Sequence, residues 1–143
     1  MPLPPAFEDR SPAEQIIGVV VVTMVFGLLT GFALGWNEVV YYVLVGPVAL
    51  AGGFFGGMEH RSADEGAVRG GLAGLVYGSF ILLGLEILNT DPEAHLGKPQ
   101  SSLVFITTFV GAIIGALGAS YRVRRERELG PATKAAARAG SIS

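Results

Sequence analysis

The chain has 143 residues, of which 50% are hydrophobic and only 15% charged, and its formal net charge is −2. A soluble domain carries about 25% charged residues, and so small a net charge offers nothing to a nucleic acid. The chain has no cysteine, which excludes disulfides, thiolate metal sites and cysteine nucleophiles.

The charges gather at the ends and in two loops, and long runs hold none. A hydrocarbon core of about 30 Å takes about 20 apolar residues in a helix. Segments 16–36, 39–58, 66–88 and 103–121 have that length and composition. They do not alternate polar with apolar residues, as the strands of a membrane barrel must. The predicted fold is therefore all-α, a transmembrane four-helix bundle over 15–121. Residues 1–14 form an N-terminal segment and 122–143 a basic, flexible tail.

Along the chain, Ser11-Pro12-Ala13-Glu14 reads as a capping box with proline at the first helical position. Glu8, Asp9 and Glu14 outweigh Arg10 in this leader, which argues against a cleaved signal peptide. Gly27, Gly31 and Gly35 follow at intervals of four, so they share one helix face. Asn37 is a candidate N-cap for the second span. That span carries Gly46-Pro47, where proline removes one backbone bond. It also carries a seam of Ala49, Gly53 and Gly57, with Gly52 and Gly56 on the adjoining ridge.

A short charged turn, Glu59 to Glu65, holds an isolated His60 and a second capping box, Ser62-Ala63-Asp64-Glu65. The third span has the longest seam, Gly66, Gly70, Gly74 and Gly78. In water each glycine costs a helix roughly 1 kcal/mol against alanine; in a bilayer this spacing lets two backbones approach closely. Arg69, one turn in, can extend to the membrane surface. Glu86 is the single acid inside a span, near its far end, and reads as a carboxylate reaching the interface. The loop Asp91-Pro92-Glu93-Ala94-His95 has metal-capable side chains but no ligand spacing of a known site. The fourth span has Ser101 or Ser102 as cap and a seam of Gly111, Gly115 and Ala119. Arg122, Arg124, Arg125 and Arg127 follow it, diluted by Glu126 and Glu128.

Positive residues collect on the cytoplasmic side of a membrane. With both termini inside, nine of the ten cations face the cytoplasm and only Lys98 faces out. Trp36, Tyr41 and Tyr42 then fall near the outer boundary and Tyr121 near the inner one, where amphipathic aromatics prefer to sit.

The stretch Gly52 to Leu83, with paired glycines, a short charged turn and Gly70-Gly71-Leu72-Ala73-Gly74-Leu75-Val76-Tyr77-Gly78, resembles the small, glycine-rich, four-span membrane proteins of prokaryotes grouped as domains of unknown function. The resemblance implies the architecture and carries no active residues with it. The chemistry of the chain agrees. No Ser-His-acid arrangement, phosphate loop, cofactor motif or metal set is present, so no enzymatic activity is expected. The expected function is that of a multi-pass protein of the cell membrane, structural or accessory, packing through its seams against a second copy or another membrane protein. A small channel or transporter is the alternative, resting on Pro47, Glu86 and the mid-span hydroxyls Thr23, Thr30, Ser79, Thr107 and Thr108.

Overall fold

The computed structural model describes residues 7–88, 91–94, 96 and 98–140, with side chains up to residue 128. It is all-helical, with no strand among the described residues. Four long helices follow a single short 3-10 turn at Phe7–Asp9. These are α1 (Pro12–Leu34), α2 (Glu38–Gly57), α3 (Ala63–Leu88) and α4 (Ser102–Gly140). Each is long and apolar enough to cross a membrane, α4 through its portion Ser102–Glu128.

The caps set the boundaries. At α1 the box closes: the Glu14 amide donates to Ser11 Oγ at 3.3 Å, and the Ser11 amide donates to the Glu14 carboxylate at 2.9 Å. The helix therefore starts at Pro12, four residues before the apolar run. Asn37 caps α2, its side-chain oxygen accepting from the Val40 amide at 3.0 Å. The box before α3 forms only in part. Ser62 Oγ accepts from the Glu65 amide at 3.4 Å, but the Glu65 carboxylate takes the Arg61 amide at 3.3 Å.

Two predicted ends move. The first helix ends at Leu34, with Gly35 as its C-cap. The fourth helix does not stop at Tyr121 but stays helical to Gly140. Arg122–Glu126 at 2.7 Å and Arg124–Glu128 at 3.5 Å join successive turns just beyond the apolar stretch. α1 and α2 each contain one wider, π-helical turn, at Ile17–Val21 and Leu44–Val48. The second contains Pro47, whose missing N–H breaks the normal ladder.

The helices pack in the spatial order α1, α3, α4, α2. α3 is the centre: 33% of its most apolar stretch is buried, against 22% for α1, 17% for α4 and 6% for α2. Its glycines allow this. A Cβ on Gly70 would strike the Gly111 carbonyl, one on Gly66 the Gly115 carbonyl, and one on Gly74 the Thr107 carbonyl. Gly78 stands against the Thr107 hydroxyl and, at 2.9 Å from an added Cβ, the Val104 backbone. A second face of α3 meets α1, where Gly27 lies over the Tyr77 carbonyl and Gly31 over Ile81 and Gly84. α2 reaches α4 through Gly57 on Gly115, Gly53 on Ile114 and Phe54 on Gly118.

The buried side chains Ala33, Leu34, Tyr41, Tyr77, Ile81 and Leu85 form one cluster. Ala94 closes it from the loop before α4, where the Glu93 amide donates to the Leu34 carbonyl at 2.9 Å.

Candidate functional site

Among the described residues, the turn between α2 and α3 holds the charged groups Arg10, Glu59 and Arg69 largely shielded from water. Glu59 lies at its centre. Arg10 Nη2 donates to Glu59 Oε1 at 2.8 Å, and Arg69 Nη2 lies 3.4 Å from Oε2. The side chains of Glu59, Arg69 and Arg10 are 15%, 16% and 30% exposed. By contrast the Arg61–Asp9 pair, at 3.4 Å, is exposed on both sides, and such pairs contribute about 0–1 kcal/mol.

Arg69 bends off α3 towards this turn. Its guanidinium fills the space beside Gly56, where any Cβ would collide with Nη1. It also lies 5.2 Å from the centroid of the Phe7 ring, within cation–π range. Phe7 in turn covers His60, ring to ring at 4.9 Å. The Phe7 amide donates to the Glu59 carbonyl at 2.8 Å, and Gln15 Nε2 donates to the carbonyls of Phe7 and Arg10 at 3.1 and 3.0 Å. Residues 7–10 are thereby strapped across the turn. From the other side Arg122, itself buried, donates from Nη1 to the Met58 carbonyl at 3.0 Å.

Three side-chain atoms in this cluster are buried without a hydrogen-bond partner: Glu59 Oε2, His60 Nε2 and Arg69 Nε. His60 is pushed below its usual pKa of 6.5, first by burial and then by the Arg69 charge; Glu65, Glu59 and Glu8 oppose this less strongly. His60 is thus not the isolated turn residue that its sequence position suggests.

A second, smaller polar locus lies inside the bundle. The Tyr77 hydroxyl donates to Thr30 Oγ1 at 3.1 Å and approaches the Leu44 carbonyl at 3.4 Å. Thr30 Oγ1 donates to the Phe26 carbonyl at 2.8 Å, and Phe26 stacks on Tyr77 at 5.6 Å. Leu44 opens the wider turn that contains Pro47, so its carbonyl is shared between Tyr77 and the Ala49 amide. Beside this locus a cleft of about 650 Å³ opens between α1 and α2, lined by residues such as Phe26, Leu29, Trp36 and Leu44. Its lining has no charged residue and no hydroxyl.

The sequence-predicted residues fall in different places. Gly27, Gly31, Gly57, Gly66, Gly70, Gly74, Gly78, Gly111 and Gly115 all stand where another helix backbone passes, and Gly53 touches the Ile114 side chain at 3.3 Å. Pro47 and Glu86 are exposed, and neither lines the cleft. Thr107 and Thr108 donate to carbonyls of their own helix. No group of three metal-ligating side chains occurs among the described residues; His95 of the candidate loop lies outside them. The residues sequence reasoning missed are Tyr77 and the Arg10–Glu59–Arg69 triad. Gly56 was the available signal for the triad, since a glycine beside Gly57 but off the α4 contact leaves a hole that Arg69 fills.

No family model, no curated protein and no solved structure matches this chain.

Proposed function

We propose that the chain is a four-span integral protein of the cell membrane with both termini in the cytoplasm. In this reading it has no catalytic activity and serves as a structural or accessory subunit held together by its small-residue seams. The observation that carries the topology is the turn at Met58–His60. Residue 7 bonds to it from one end of the chain and Arg122 from the other. Both lie at the end that also gathers Arg10, Arg61 and Arg69, and an excess of arginine marks the cytoplasmic side. Support for an associating subunit comes from α2, which presents Val48, Ala51, Gly52 and Phe55 outward along one face. Small residues on a lipid-exposed face allow a second helix to approach closely.

The cysteine-free sequence gives a direct topology test. In intact cells a membrane-impermeant maleimide should label Lys98→Cys and spare Arg127→Cys, which lies beyond the apolar stretch; the reverse pattern refutes the orientation. Cross-linking in native membranes through Gly52→Cys should trap either a dimer or a larger adduct. A monomer only, under conditions that cross-link a known membrane dimer, refutes the subunit reading. A transporter built on Pro47 and Glu86 is the second reading, and solute flux in liposomes that disappears in Glu86→Gln would establish it over the first.

A further inference from the structure

We propose that residues 7–10 form a proton-released strap: His60, closed beneath Phe7 and beside Arg69, must stay neutral for the strap to lie down, so acidification of that compartment opens this end of the bundle. The inference depends on the local geometry and not on which side of a membrane the turn faces.

The strap is held to the turn by the Phe7 amide on the Glu59 carbonyl, by Arg10 on the Glu59 carboxylate, by the exposed Arg61–Asp9 pair and by the Phe7 ring on His60 and Arg69. Gln15 ties its Phe7 and Arg10 carbonyls to α1, and of these contacts only the Phe7 ring covers His60. Under it, His60 is 7% exposed and its Nε2 is buried with no hydrogen-bond partner. A neutral imidazole needs only one donor satisfied, whereas an imidazolium presents two donors and a charge. Here the added charge would sit where little water reaches, on a ring whose Nε2 has no acceptor within hydrogen-bond distance, a costly burial.

The surrounding charges do not rescue it. Glu8 faces His60 from the strap, where Arg10 is held on Glu59; Glu59 faces it from the turn, and Glu65 and Arg69 from α3, while Arg122 of α4 lies behind Met58. The three acids favour the proton. Glu59, however, is shared by two arginines, and burial together with Arg69 prevails. The closed strap therefore binds the proton less well than the open one. Closing is fully favoured above the open-state value of about 6.5. That advantage falls away as pH drops towards the lower closed-state value. Opening would bring water to Glu59, His60 and Arg69 together.

The test uses the full-length protein in nanodiscs. The two histidines give two imidazole titrations by NMR, assigned with His95→Gln. His60 should titrate below about 6.5. Deuterium exchange of the amides over 7–10, corrected for intrinsic rate, should speed up between about pH 7.5 and about pH 5. The acceleration should be about tenfold for each unit by which closure depresses the His60 value, and His60→Gln should abolish this pH dependence. The proposal is overturned if His60 titrates at or above its ordinary value, if the strap exchanges equally at both pH values, or if His60→Gln shows the same acceleration. Should that variant not fold, the two wild-type measurements still decide.

Discussion

α2 and α3 have similar glycine content, but α3 is packed on two sides, whereas the glycines of α2 are packed only near its end, where Gly53 and Gly57 meet α4. On α3 the glycines at intervals of four meet the backbone of α4 on one side, and Gly84 meets α1 on another. On α2, Gly46 and Gly52 meet nothing within 4 Å, and Gly56 meets only the end of the Arg69 side chain. The same residue type therefore does three things in one small bundle: it brings backbones together, makes room for a charge, or stands open on the surface. Spacing alone does not separate these roles; the face on which each glycine falls does, since on α2 itself Gly57 lies on the Gly115 backbone while Gly52 stands open.

Substitutions can test that contrast. The largest effect is expected at the centre. Gly70→Leu drives a side chain into the Gly111 backbone, which cannot move aside, and overpacking of this kind costs about 3 kcal/mol or more. The variant should lose its folded, monodisperse state in mild detergent, while Gly52→Leu should keep it. Equal behaviour of the two would break the comparison.

An intermediate effect is expected at Glu59→Gln, which leaves Arg10 and Arg69 facing each other without their carboxylate. Breaking a fully buried pair costs about 3–5 kcal/mol; with these partly exposed side chains about 2 kcal/mol is expected. Unfolding with added denaturant would measure it, and the loss should be smaller when Arg69 is first replaced by Met.

The smallest effect carries the opposite sign. Gly52→Ala adds a methyl into open space and removes a helix-weakening residue, a gain of up to about 1 kcal/mol. A raised midpoint is expected in the isolated protein. A weakened cross-link at the same position would identify Gly52 as part of an interface between chains.

How much of this was legible in the sequence follows from the distances over which each feature is written. Apolar runs and caps are local, so the helical architecture could be read directly, and Ser11, Asn37 and Ser62 act where their spacing from the first turn places them. Seam positions are also local, being spaced at four. Their partners are not: Gly74 and Gly78 meet Thr107, where the pattern of glycines on α4 begins only at Gly111. The Arg10–Glu59 contact joins residues 49 apart, and no periodicity links them. Tyr77 lay hidden inside a glycine-rich run because its importance comes from Thr30 and Leu44, on two other helices. The continuation of α4 past Tyr121 was obscured by arginines that signal a membrane boundary as readily as the end of a helix.

The order of packing also has a consequence for how the molecule is made. α1 and α2 are synthesised first and are joined by the tight turn at Asn37, yet most of what each buries is supplied later. Gly27 and Gly31 wait for Tyr77, Ile81 and Gly84; Gly53 and Gly57 wait for Ile114 and Gly115. The first hairpin therefore leaves the ribosome with its seams unfilled, and only the second hairpin, sliding between α1 and α2, completes it. Assembly of this bundle is a late event, decided when the last apolar segment has been delivered.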